Sequence, residues 1–111
     1  EDTHAHGWLE ALAQLEREPE RPLLLVTGDV PLAPTFAPLV QEPVCSYAVA
    51  WLLAHGGEGE PLEIGFGAAT QPGAAESRKW PEAAELLRWW LAGEPAVALD
   101  GKRLRSAFRR P

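Results

Sequence analysis

The cluster Thr3-His4-Ala5-His6, behind Glu1 and Asp2, carries residue types that could hold a metal ion. A zinc-type site needs three or four ligands converging on one point. On a helix, His4 and His6 point about 200° apart, and only an extended segment puts both on one side. The same residues open a helical pattern, so no metal is expected and both imidazoles read as solvated. His55 closes a different apolar run, where a cationic form would suit a helix C-terminus. Cys45 is the lone thiol. A thiol nucleophile needs a placed base, and none stands beside it in sequence. A small buried hydrophobe is its plainer role, and no catalytic residue is assigned.

Two glycine-bearing stretches could border a ligand. Thr27-Gly28-Asp29 ends one apolar run, and "GFGAAT", from Gly65 to Thr70, ends another. The second lacks the third glycine of a dinucleotide fingerprint and the Lys-Ser/Thr pair of a P-loop. No cofactor is therefore expected. Ligands of open α/β sheets gather beyond strand C-termini, so Thr27, Gly28, Asp29, Gly67 and Thr70 mark the candidate ligand edge. Glu58, Glu60 and Glu63 read as solvated carboxylates, and Glu82, Glu85 and Arg88 as an exposed helix face.

Recognition surfaces offer more. The chain has five tryptophans. Trp8, Trp51 and Trp90 fit core stripes, whereas Trp80 and Trp89 do not. Either Trp80 staples the entry to the third helix, or these two join Arg78, Lys79 and Arg88 in an aromatic–basic patch of the kind enriched at protein interfaces and able to stack bases. The end of the chain, "DGKRLRSAFRRP", holds five of the ten basic residues. Residues 1–100 hold the other five together with all sixteen acidic side chains. Lys102, Arg103, Arg105, Arg109 and Arg110 thus make either a phosphate grip or a tail drawn to its own acidic body, and the second is favoured.

Positioning these groups requires an α/β framework. Asp2 or Thr3 caps a first helix, with Ala5, Trp8, Leu9, Leu12 and Leu15 on one face, and it stops before Pro19. Leu23–Val26 is a short continuous apolar run, expected as a strand buried on both faces. Four prolines between 28 and 43 mark an irregular loop. There "TFAPLVQE" resembles the helix after the redox motif of thioredoxin-like proteins. The Cys-x-x-Cys of that family is absent, so the resemblance implies a fold alternative and no active-site residue. Pro43 opens an expected second helix, apolar nearly all round, running to about His55. Leu62, Ile64 and Phe66 alternate as a second strand. Pro81 and Gly93 bracket a third helix, with Ala83, Leu86, Leu87, Trp90 and Leu91 as its core stripe. "PAVAL" is a third strand. Asp100-Gly101 is a hairpin signal, but the tail is built from good helix formers, and a short helix is preferred there to a strand.

The expected fold is therefore α/β: a small single-layer sheet of about three strands with helices packed on it. The order is α-β-α-β-α-β with right-handed crossovers, plus a basic C-terminal helix or hairpin strand at 101–111. The 111 residues fit one domain. No signal peptide is read at the start, and the longest dense apolar run, 44–54, falls short of the roughly 20 residues that span a bilayer. One cysteine points to a reducing, cytoplasmic setting. The absence of Asn and Met and the excess of Arg over Lys resemble a thermophile's composition. The missing initiator Met reads as a trimmed start or a fragment. Binding rather than catalysis is expected: a protein-interaction or regulatory module, partnered by itself in a homodimer or by another protein. The alternatives are a nucleic-acid module using the tail, and a small-molecule binder at the strand edge.

Overall fold

The structure, a computed structural model, describes residues 3–29, 47–70 and 80–111. Two helices and five strands occur there in the order α1 (Thr3–Arg17), β1 (Leu23–Asp29), β2 (Tyr47–Leu53), β3 (Glu63–Ala68), α2 (Glu82–Ala92), β4 (Ala96–Asp100) and β5 (Leu104–Arg109). The fold is mixed α/β, as the sequence implies. The strands form two small sheets, one of order β1-β2 and one of order β3-β5-β4. Every pairing is antiparallel, so the expected parallel crossovers are absent among the described residues.

Helix α1 buries His4, Ala5, Trp8, Ala11 and Leu15, a face at helical spacing. Leu9, assigned to that face from sequence, is 45% exposed. The Glu18 N–H still donates to Gln14 O, and the chain then turns through 19–21 into β1. Helix α2 follows Pro81 and ends at Gly93, whose φ of 76° is the left-handed cap that glycine adopts without strain. Its buried face is Glu82, Ala83, Leu86 and Trp89. Trp89 is thus the fully buried indole of this helix, and Trp90 is half-buried against the core. Trp89 lies three residues beyond Leu86, so the face runs 82-83-86-89, and Leu91 faces out at 75% exposure.

The largest correction is at Tyr47–Leu53, which forms a strand and not a helix. Tyr47, Val49, Trp51 and Leu53 are half-buried, while Ala48, Ala50 and Leu52 are exposed. That is strict two-residue alternation. It was invisible in the sequence because both parities are apolar. Strand β1 is likewise not buried on both faces, since Leu24 and Val26 project outward. The tail resolves as β5, the central strand of its sheet, and not as a helix. Gly101 N–H donates to Leu104 O across the turn. Leu104 and Phe108 stand four apart, a spacing that puts two residues on one face of a helix and of a strand alike. Ser106, between them, is fully buried.

One core serves both sheets. Trp8, Leu86, Trp89, Leu99 and Phe108 are buried together, with Leu25, Trp51, Leu53, Leu62, Ile64, Phe66, Trp90 and Val97 packed around them. Trp8 lies at its centre, 5.2 Å from the Phe108 ring and 5.7 Å from that of Trp51. These tilted and edge-on contacts suit the quadrupoles of the rings. Helix α1 contacts β1 and β5, and α2 contacts β2 and β4. Each helix therefore bridges the two sheets.

Candidate functional site: a bare sheet face

The helices cover the inward side chains of β1 and β2. Neither described helix covers the opposite face. Cross-strand register puts Leu24 opposite Leu52, Val26 opposite Ala50, and Gly28 opposite Ala48. All six positions are apolar or glycine, and none is charged. Leu24 is 60% exposed, Val26 59% and Leu52 75%. Three of the six large hydrophobics exposed among the described residues thus share one face of one hairpin. Single exposed leucines are ordinary, whereas these stand together on one face with no charged side chain between them. Gly28 keeps the ladder tight at one end: a Cβ there would stand 2.7 Å from Tyr47 O.

The outer face of the second sheet is different. Gly65, Ala107 and Ala98 stand side by side across β3, β5 and β4. Ion pairs flank this smooth strip. On one side Arg109 bonds Glu63 through Nε and Nη2. On the other, Arg105 Nη1 lies 3.1 Å from Asp100 Oδ2 and 2.8 Å from Thr70 Oγ1. Asp100 also accepts from the Thr70 N–H and hydroxyl. Burial pushes the Asp100 carboxyl up. The bonds from Thr70 and the Arg105 guanidinium outweigh that effect and hold it below its ordinary value.

The basic tail is therefore spent largely on its own chain. Arg110 bonds Glu60 and the carbonyls of Trp90 and Glu94. Its guanidinium also sits 4.9 Å and 4.5 Å from the centroids of Trp89 and Trp90. Arg105, Arg109 and Arg110 each meet a carboxylate, while Lys102 is exposed in the turn and Arg103 O accepts from the Ala69 N–H. Trp80 is 45% exposed and Trp89 only 2%, so the two do not form one surface. Arg78 and Lys79 lie outside the described residues, as do Cys45 and the proline-rich loop from 30 to 43.

The candidate ligand edge divides between the sheets. Thr27 and Gly28 belong to β1, Asp29 ends it, Gly67 lies in β3, and Thr70 joins the Asp100 cluster. Thr27 Oγ1 is buried without a hydrogen-bond partner. Among the described residues, no group of three or more His, Cys, Asp or Glu side chains could hold a metal ion. No described helix is long and apolar enough to cross a membrane.

Sequence reasoning missed the bare face because it took β2 for a helix. The signal was present as two runs, 23–26 and 47–53, that are apolar at both parities. It also missed His4, read as solvated but only 7% exposed.

A family model described as the beta-ketoacyl synthase N-terminal domain matches residues 1–107. No curated protein and no solved structure matches the chain significantly. On that near-complete match, the chain belongs to the beta-ketoacyl synthase N-terminal domain family.

Proposed function

We propose that the chain acts within β-ketoacyl synthesis, the carbon–carbon joining of acyl units, as a scaffold lobe. It works by seating the bare β1–β2 face on a second protein layer, the C-terminal part of a synthase. The observation that carries this reading is the uncharged face of Leu24, Val26 and Leu52. The family description adds a direction: a domain named as N-terminal has a companion that follows it. Recognition is then mainly apolar burial, which is non-directional and scales with area. The strip of Gly65, Ala98 and Ala107 allows close approach beside it.

The test pairs the chain with the separately produced C-terminal domain of a β-ketoacyl synthase from the same genome. Isothermal titration should show saturable binding with a negative heat-capacity change, the mark of apolar burial. Sedimentation of the chain alone gives the competing outcome. A dimer that dissociates when Leu24 and Leu52 are truncated would give the face to a second copy, and the companion reading would be wrong. Absence of both interactions would remove the docking role altogether.

A further inference from the structure

We propose that His4 is a protonation-linked toggle on the core indole Trp8. The Trp8 Nε1–H donates to His4 Nε2 at 3.2 Å, four residues apart on α1. An indole nitrogen can only donate. Nε2 must therefore carry a lone pair, and the geometry assigns the single proton of the neutral ring to Nδ1. On that side Nδ1 lies 3.4 Å from Glu82 Oε2, the first residue of α2. The contact lacks hydrogen-bond alignment, but it brings a carboxylate beside the ring. Both side chains are 7% exposed. Among the described residues, Glu82 is the charged group that faces His4 from α2, and the Trp8 indole faces it from α1.

A second proton on His4 can go only to Nε2, where it would meet the Trp8 N–H donor to donor. The cationic ring keeps its attraction to Glu82 and loses Trp8. Trp8 is fully buried, and its indole N–H would then lose the His4 acceptor. Protonation of the ring therefore exchanges one arrangement for the other. Trp8 packs on Trp51 of β2, and the toggle thereby reaches the sheet whose outer face is bare. This inference does not depend on what docks there.

The test is a pH series of indole ¹H–¹⁵N spectra on the full chain from pH 8 to 5.5, with His4 ring nitrogens followed in parallel. At pH 8 the His4 shifts should report the Nδ1–H tautomer, and the Trp8 indole proton should lie downfield. On acidification the Trp8 signal should move upfield along the His4 titration curve, while the other indoles shift far less. In His4→Gln the amide oxygen can accept from Trp8 and does not titrate, so the Trp8 signal should stay downfield throughout. An Nε2–H tautomer at pH 8 overturns the proposal even if that variant fails to fold. So does a Trp8 signal that stays still while His4 titrates, or one that moves equally in His4→Gln.

Discussion

Truncating both leucines of the bare face, Leu24→Ala with Leu52→Ala, should separate docking from folding. Burying a whole leucine side chain stabilises by about 2 kcal/mol. With Leu24 60% and Leu52 75% exposed, docking has about 1.2 and 1.5 kcal/mol still to gain from them. Alanine retains roughly a third of that, so the double variant loses about 2 kcal/mol of docking energy, or roughly 30-fold in Kd. The share of each side chain already covered is the smaller one, and folding should lose less than about 1 kcal/mol. Titration calorimetry against the companion domain measures the first quantity, and urea unfolding of the chain alone measures the second. A loss of more than about 3 kcal/mol in unfolding free energy, of the size seen for core truncations, would refute the reasoning, because the leucines would then be core residues. An unchanged Kd would refute it from the other side.

Other outcomes follow from the same geometry. Gly28→Val should cost about 1–3 kcal/mol in urea unfolding, since its Cβ would stand 2.7 Å from a backbone oxygen; Gly65→Ala, with nothing within 4 Å, should be neutral or stabilising by about 0.5 kcal/mol. Arg110→Ala removes two ring contacts and its bonds to the Trp90 and Glu94 carbonyls, and should destabilise by about 2 kcal/mol. Arg109→Ala, 66% exposed at its ion pair, should cost about 0.5 kcal/mol. Asp100 has a folded pKa below its unfolded one, so its contribution is complete above the ordinary carboxylate range and lost as pH falls through the folded value. Stability should therefore drop on acidification below about pH 4, and Asp100→Asn should be less stable at pH 7 with a flatter acid limb.

The elements with one polar face were legible in the sequence. Helix α1 announces itself through Ala5, Trp8 and Leu15 against Glu10, Gln14 and Arg17; α2 has Pro81 before it and Gly93 after it; β3 alternates Ile64 and Phe66 with glycines. Residues 47–53 were not legible. Tyr, Val, Ala, Trp and Leu leave no charged or strongly polar position and so no period to read, and the helix propensity of Ala and Leu misleads. Pairing with β1 decides the outcome, and that is a tertiary fact. The tail failed for a related reason, because Leu104 and Phe108 satisfy both periods. The apolar character expected nearly all round this segment is found on both faces of the strand, with Trp51 half-buried and Leu52 exposed. Leu52 on a strand is as bare as a second helical face would have been. The His4–Trp8 bond needed only α1, already expected, and the i,i+4 spacing of the two residues. Glu82, by contrast, comes from a distant helix and could not be placed beside them from sequence.

The most direct test of the docking account is a methyl spectrum of the chain, labelled at leucine and valine, with and without the companion domain. The account requires the methyls of Leu24, Val26 and Leu52 to shift and to saturate together, while those of Leu9 and Leu91, on the helices, stay in place. Shifts confined to Leu9 and Leu91, with the sheet face unmoved, would contradict it.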